Sequence, residues 1–191
     1  MHCGFRTAAL LLLGAGLAIG APAARANVTI IGNGLAADCS RAAKDAARSA
    51  AHKASVEICT LAIENDALSE HELAATFVNR GVLYLAGADY GRARQDFDTA
   101  TREEPRLGEA YVNRGAALIG EGRSAEGIAE IDRGLALNTS EPEKAYFNRA
   151  LAEERLDQIK AAYFDYMKAQ ELKPDWDMPR TELARFHVSE R

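Results

Sequence analysis

Residues 74–105 read AATFVNRGVLYLAGADYGRARQDFDTATREEP, and the spacing within this stretch decides the fold. Phe77 and Gly81 are four residues apart, so they lie on one face of a helix. Ala93 and Phe97 have the same spacing. Gly81 and Ala93 are small, which allows two helix backbones to approach closely where they cross. The small pair, Gly81 and Ala93, and the aromatic pair, Phe77 and Phe97, are both centred on Gly87. The stretch therefore predicts two antiparallel helices joined by a turn.

The same pattern recurs further along the chain. Gly81 is followed by Gly115 and then by Ala150, and the second step is one residue longer because of the turn-rich connection at 138–142. Together with the closing Pro105 and a period of about 34 residues, this pattern resembles the tetratricopeptide repeat. The resemblance divides the chain into complete units at 74–107, 108–142 and 143–176, with a degenerate hairpin at 35–73 and a capping helix at 177–191.

The resemblance implies an all-α fold, namely a right-handed solenoid of antiparallel helical hairpins with a C-terminal capping helix. Such repeats are scaffolds that bind other chains. The resemblance therefore implies a non-enzymatic protein without a cofactor. It also implies that the partner is a protein or an extended peptide held in the concave groove. The alternative is a structural or assembly subunit of an envelope complex or of a homo-oligomer, and the sequence leaves the oligomeric state open.

The segment at 1–26 has the three parts of a bacterial signal peptide. A basic segment at 1–6 precedes an apolar run at 7–19, and Ala24-Arg25-Ala26 has the small-x-small form that signal peptidase cuts. The alternative, a membrane anchor, needs about 20 apolar residues, and the run at 7–19 is shorter than that. We therefore expect cleavage after Ala26, a periplasmic protein that is not inserted in the membrane, and an extended lead-in at 27–34.

Two cysteines take the aromatic positions of the degenerate hairpin at 35–73. Cys39 and Cys59 are symmetric about the same point of the chain as the small pair Ala43 and Ser55. Facing cysteines in an exported protein are most simply a disulfide. Closing this loop would stabilise the fold by about 3 kcal/mol. The alternatives are two reduced core cysteines and, with less support from the spacing, a zinc site that uses His52.

Neither the composition nor the motifs indicate catalysis, metal binding or nucleic-acid binding. Loss of the leader removes Arg6 and Arg25 and no acidic residue, so the net charge falls from −5 to −7. An acidic chain without a basic cluster argues against a nucleic-acid partner. Histidines lie in separate predicted elements, and no phosphate loop or nucleophile motif is present. We therefore predict no catalytic residue and no metal site.

An Asn-Arg-small triplet occurs in each complete unit. Its asparagines, Asn79, Asn113 and Asn148, occupy the position on the first helix that lines the concave groove in the tetratricopeptide family. In some members such asparagines hold a peptide main chain. The alternative is ordinary repeat sequence with local bonding. The predicted groove also contains the apolar residues Val78, Val82, Val112, Ile119, Phe147 and Leu151. Lys144 alone is basic among the neighbouring groove positions, which argues against a basic clamp for a terminal carboxylate.

The arginines of the same triplets stand where the family usually has a buried leucine. An arginine can pack its stem against a core only if its guanidinium finds a partner. In each unit, the second helix carries an acidic residue 16 positions after the arginine of the first helix. The predicted ion pairs are Arg80–Asp96, Arg114–Glu130 and Arg149–Asp165.

Overall fold

The computed structural model describes residues 34–46 and 52–186, together with two short strands near the ends of the chain. The described helices are α1 Leu35–Asp45, α2 His52–Asn65, α3 Glu70–Ala86, α4 Tyr90–Glu103, α5 Gly108–Gly120, α6 Ser124–Ala136, α7 Pro142–Arg155, α8 Ile159–Leu172 and α9 Asp177–Leu183. Strand β1, His2–Cys3, pairs antiparallel with β2, Val188–Ser189. Apart from β1 and Gly34, the predicted signal peptide at 1–26 and lead-in at 27–34 lie outside the described residues.

Helices α1 to α8 form four antiparallel hairpins, and α9 packs on the last of them. The degenerate hairpin is α1–α2, and the three complete hairpins, numbered first, second and third, are α3–α4, α5–α6 and α7–α8. The first helix of each hairpin contacts the first helix of the next, so α1, α3, α5 and α7 form an inner layer. The second helices, α2, α4, α6 and α8, contact the first helices on either side and form the outer layer, with α9 next to α8. This arrangement confirms the predicted all-α solenoid of hairpins. Among the described residues, no helix has the length and apolarity to cross a membrane.

Helix α3 begins at Glu70, four residues before the predicted boundary at 74. The reason is a capping box. The Ser69 hydroxyl accepts a hydrogen bond from the Glu72 backbone N–H, and the Glu72 carboxylate accepts one from the Ser69 backbone N–H at 2.9 Å. Both N–H groups would otherwise lack a partner at the start of the helix, so this serine and glutamate fix where the helix begins.

The turn inside each complete hairpin contains one residue in the left-handed conformation. These residues are Ala88, Gly122 and Asp157, with φ of 57°, 82° and 59°. They recur along the chain at the same steps as Gly81, Gly115 and Ala150, so the turn repeats with the helices. Glycine suits this conformation best, and aspartate tolerates it better than alanine does. The turn after α3 is therefore made with the least favourable of the three residues.

The second hairpin, α5–α6, has a close crossing of its two helices. A Cβ atom added at Gly115 would lie 2.7 Å from the Gly127 carbonyl oxygen, and one added at Gly127 would lie 2.8 Å from the Gly115 carbonyl oxygen. Each glycine therefore allows the other backbone to approach. In the first hairpin, a Cβ atom at Gly81 would lie 2.5 Å from the Phe97 ring, so the small residue makes room for an aromatic side chain instead.

The C-terminal cap is shorter than the predicted helix at 177–191, because α9 ends at Leu183. A turn follows, in which the Phe186 backbone N–H donates to the Leu183 carbonyl at 3.1 Å. This turn brings the Phe186 ring 6.0 Å from the Tyr166 ring and 5.6 Å from the Tyr163 ring. The last apolar face of the solenoid is thus covered by a short helix and a folded-back aromatic residue, as a terminal cap requires.

The structure joins Cys39 and Cys59 in a disulfide between α1 and α2, with the Cα atoms 4.7 Å apart. Both cysteines are fully buried and belong to the core cluster that continues into α3 and α4. The disulfide takes the place of the aromatic packing seen in the later hairpins, where Phe97 and Tyr166 are buried at the equivalent position.

Candidate functional site

The three asparagines lie on the inner-layer helices α3, α5 and α7, but they are not open to solvent. Asn79 and Asn113 are 1% exposed, and Asn148 is 3% exposed. Their burial does not fit the prediction that these asparagines line an open groove. Their burial follows from the packing of the inner layer, in which each first helix contacts the next.

Two of these asparagines have buried polar atoms that lack a partner. Within the described part of the chain, Asn79 Oδ1 and both side-chain polar atoms of Asn113 make no hydrogen bond. An unsatisfied buried polar group costs about 1 to 3 kcal/mol. Local bonding, the alternative explanation for these residues, therefore does not account for Asn113.

Two of the predicted groove residues, Val112 and Ile119, are core residues of the second hairpin. Val112 lies over Gly134, where an added Cβ atom would approach its Cγ2 to 2.5 Å, and Ile119 lies over Gly127, at 2.6 Å from its Cγ1. Both side chains thus fill the space that the glycines of α6 leave. Their burial does not fit the predicted role of selecting apolar peptide side chains.

Phe147 is likewise a core residue. Its ring lies 5.4 Å from the Tyr166 ring and 4.9 Å from the Trp176 ring, between α8 and the segment that leads to α9. The smaller Val78 and Val82 are buried in the cluster that includes the disulfide. Of the nine predicted groove residues, Leu151 is the most accessible, being half-buried.

Lys144 has its own partner inside the fold. Its Nζ donates to the Glu141 carboxylate at 2.5 Å, and only 9% of its side chain is exposed. Burial lowers the pKa of Lys144, which the charge of Glu141 partly opposes. The lysine is therefore engaged within its own helix start, and this does not favour a clamp for a terminal carboxylate.

The three arginines contact the acids that their spacing indicates. Arg80 binds Asp96 through two nitrogens, each at 2.8 Å. Arg149 does the same with Asp165, at 2.6 and 2.9 Å. In the second hairpin, Arg114 Nε donates to Glu130 at 3.1 Å, and Arg114 Nη2 also donates to this carboxylate.

Each of these arginines also reaches back to the preceding hairpin. Arg80 donates to Thr60 on α2 at 3.0 Å, and Arg149 donates to Asp132 on α6 at 2.5 Å. In the same way, Arg114 donates to Asp98 and Thr101 on α4, at 3.2 and 3.1 Å. The sequence contained a signal for these second acceptors, because Asp98 and Asp132 are separated by the same step as Gly81 and Gly115.

The arginines also stack on aromatic rings of their own helices. The guanidinium carbon of Arg114 lies 5.1 Å from the centre of the Tyr111 ring, and Arg80 and Arg149 make the same contact with Phe77 and Tyr146. This stacking keeps the guanidinium between two outer helices. The arginine positions therefore connect neighbouring hairpins.

Glu153 is an acidic residue whose importance the sequence does not indicate. It is 8% exposed, and its Oε2 makes no hydrogen bond within the described residues. Burial, followed by the nearby charge of Asp165, raises the pKa of Glu153 to about 7. Among the described residues, no group of three or more His, Cys, Asp or Glu is arranged to hold a metal ion.

Residues 143–175, which form the third hairpin, match the family model for the tetratricopeptide repeat. The fold is a tetratricopeptide repeat solenoid. A thermophilic tetratricopeptide protein of Thermus thermophilus, TTC0263, is similar to it with a TM-score of 0.66 and 17% identity, over 80% of each chain. MamA from Desulfovibrio magneticus RS-1 gives a TM-score of 0.59 and 17% identity, over 81% of this chain and 84% of its own.

Smaller tetratricopeptide domains are similar as well. The second such domain of human RPAP3, solved in complex with the HSP70 peptide SGPTIEEVD, gives a TM-score of 0.55 and 20% identity, over 61% of this chain and 97% of that domain. No curated protein matches the sequence significantly. The likeness therefore shows the fold.

Proposed function

We propose that this protein is a non-enzymatic scaffold whose inner layer binds an extended segment of another protein. The observation that carries the proposal is a pair of buried amides with unpaired atoms, namely Asn79 Oδ1 on α3 and both side-chain polar atoms of Asn113 on α5. They lie at the same position of two consecutive repeats. The complex of the human RPAP3 domain with an HSP70 peptide supports this kind of partner.

A side-chain amide offers one acceptor and two donors, so it matches the N–H and C=O groups of an extended main chain without selecting its sequence. Amides at two successive repeats would hold the main chain at two places. Because both are buried, a peptide reaches them only if α3 and α5 move apart locally. Solenoid repeats contact only their neighbours, which makes such an opening local. The hydrogen bonds gained offset part of its cost.

The test uses peptides selected from a random display library on the mature protein. Asn113→Ala should weaken binding modestly, since each neutral hydrogen bond contributes about 0.5 to 1.5 kcal/mol. The triple variant Asn79→Ala, Asn113→Ala and Asn148→Ala should lose about 10- to 100-fold in affinity or more. Because Asn113 makes no hydrogen bond within the described residues, its removal breaks none there. Fold retention is checked by circular dichroism.

Gln95→Ala is the matched control, since Gln95 is exposed on the outer helix α4. This variant should bind the selected peptides as the parent does. A folded triple variant that binds as tightly as the parent would show that the inner layer is not the site. In that case, the role of structural subunit becomes the better explanation.

We also propose that the chain works in the periplasm after cleavage at Ala26. The form of the segment at 1–26 and a buried disulfide both support an oxidising compartment. Mass spectrometry of the protein from a periplasmic fraction should find Asn27 as its first residue and no free thiol after denaturation. An uncleaved chain, or one retained in the cytoplasm, contradicts the location.

A further inference from the structure

The outer face of α8 differs from those of the other second helices. Phe164 and Met167 on this face are 48% and 45% exposed. The equivalent positions carry Glu57 and Thr60 in α2, Gln95 and Asp98 in α4, and Ala129 and Asp132 in α6. Two large apolar side chains thus stand where the earlier hairpins have small or polar residues.

The position of Met167 has a defined role in the earlier hairpins. Thr60, Asp98 and Asp132 stand there, and each accepts a hydrogen bond from the arginine of the next hairpin. After α8 comes the cap, and α9 carries Leu183 where the earlier first helices carry that arginine. Position 167 therefore does not face an arginine of a following hairpin. It nevertheless carries an exposed apolar side chain rather than a polar one.

Phe164 and Met167 belong to a stripe along the helix. Lys160, Phe164, Met167 and Glu171 follow the spacing i, i+4, i+7 and i+11, which places all four on one face. Lys160 and Glu171 are both exposed. The stripe thus begins with a positive charge, continues with two apolar residues and ends with the carboxylate of Glu171, which also accepts a hydrogen bond from Lys168 of the same helix at 2.9 Å.

We propose that this stripe is the contact surface of a symmetric dimer, in which α8 packs antiparallel against α8 of a second copy. A twofold axis between Phe164 and Met167 places Phe164 on the partner's Met167 and Lys160 opposite the partner's Glu171. Symmetry makes each contact twice. A parallel pairing would place like charges opposite each other. The charge order along the stripe therefore selects a second copy in the antiparallel orientation.

The surface beside the stripe fits the same pairing. A shallow depression is lined by Asp157, Lys160, Ala161 and Phe164, among others. The antiparallel geometry brings the partner's Leu172 to this depression, and Leu172 is 41% exposed. Within the chain, the Tyr163 ring stands at 5.6 Å from the Phe164 ring and supports it from one side. Thioether sulfur packs favourably on aromatic rings, which suits the contact of Met167 with the partner's Phe164.

The dimer surface lies on the outer layer, away from the amides of the inner layer. It therefore goes beyond the proposed function and is independent of it. A dimer of this kind would hold two inner layers in one particle and leave both accessible. If the protein did not bind peptides, the dimer proposal would still stand. If the protein were monomeric, the peptide-binding proposal would still stand.

The first experiment measures the mass of the mature protein by sedimentation velocity at a series of concentrations. We expect a dimer. Met167→Asp, which installs the residue of α4 and α6 at this position, should weaken the dimer about tenfold or more, because the carboxylate would be buried against an aromatic ring. Leu61→Gln is the control, since Leu61 is an exposed leucine of α2, and it should leave the dimer intact.

The second experiment tests the orientation. Lys160→Glu and Glu171→Lys should each weaken the dimer by placing like charges opposite each other, and the double variant should restore it. A parent that is monomeric at every concentration overturns the proposal, as does a Met167→Asp variant that dimerises as tightly as the parent. A double variant as weak as the single ones overturns the antiparallel pairing. Circular dichroism and melting temperature verify that each variant is folded.

Discussion

Glu153 is a residue at which the third complete hairpin departs from the other two complete hairpins. The equivalent residues are Tyr84 in the first hairpin and Leu118 in the second. A carboxyl group thus stands where a large side chain stands elsewhere, and it is buried with one oxygen unpaired. Burial and the neighbouring Asp165 raise the pKa of Glu153 to about 7, so the folded protein holds this proton near neutral pH.

Glu153 should make the stability of the protein depend on pH. The pKa of Glu153 is higher in the folded chain than its ordinary value of 4.5. Its contribution to the free energy of unfolding is therefore fully present below about pH 4.5 and is lost as the pH rises through about 7. Between about pH 5 and pH 8, the parent should lose about 1 to 3 kcal/mol more than Glu153→Gln.

Urea unfolding of both proteins at the two pH values measures this difference. Glu103→Gln, at an exposed position of α4, is the control and should follow the parent. Equal pH dependence of the parent and Glu153→Gln would mean that the carboxyl group is ionised in the fold without penalty.

At the residue scale, the sequence predicts partners better than it predicts burial. The acid at a fixed offset from each arginine indicated the contacts of Arg80, Arg114 and Arg149, because that offset joins facing positions of a hairpin. The burial of Asn113 could not be predicted in the same way. A polar residue on a helix face is expected at the surface, and only the packing of adjacent inner helices shows that this one lies beneath it.

At the element scale, the glycine pair of the second hairpin should tolerate no side chain. Alanine at a helix position is usually better than glycine by about 1 kcal/mol. At Gly115, an added Cβ atom would lie 2.6 Å from Ile131 and 2.7 Å from the Gly127 carbonyl. We therefore expect Gly115→Ala to lower the free energy of unfolding by about 1 to 3 kcal/mol, since α5 and α6 must separate. Thermal and chemical unfolding measure the change.

Gly91 on α4 provides the control for this prediction. No atom lies within 4 Å of a Cβ added there, so Gly91→Ala should stabilise the protein by up to about 1 kcal/mol. Opposite signs for the two glycines are the expected result. A stabilising Gly115→Ala would show that the two helices can move apart without cost.

The glycines of α6 explain why the sequence predicts the positions of the helices better than it predicts which residues of each helix are buried. The repeat period predicts where each hairpin lies, because the small and aromatic residues recur with it. It does not say how far a neighbouring side chain can enter a space left by glycine. Val112 and Ile119 enter the spaces over Gly134 and Gly127. Two residues expected in a groove are thus part of the hairpin core, and the glycines of α6 were the available signal.

At the scale of the whole molecule, the arginines connect the four hairpins in series. Each binds an acid on its own second helix and a hydroxyl or carboxylate on the preceding one. In a solenoid, the stability of each repeat depends on its interfaces with its neighbours. The arginine bridges therefore couple the folding of adjacent hairpins, and the disulfide strengthens the degenerate hairpin α1–α2.

The contacts of Arg114 with Glu130 and Asp98, here called the central bridge, should decide whether the hairpins unfold together as one unit. Arg114 is 16% exposed, and its removal leaves Glu130 and Asp98 without their common partner. We expect Arg114→Met to lower the free energy of unfolding by about 2 to 4 kcal/mol. It should also uncouple α1 to α4 from α5 to α8. Hydrogen exchange should then show lower protection in α5 to α8 than in α1 to α4, whose disulfide remains.

Arg92→Met is the control for the central bridge, because Arg92 pairs with Asp89 at the surface and is 62% exposed. An exposed pair of this kind contributes at most about 1 kcal/mol. Its loss should leave the melting temperature and the exchange pattern close to those of the parent. If Arg114→Met also melts with the parent, its guanidinium is solvated rather than bridging. The hairpins are then held together by their apolar contacts alone.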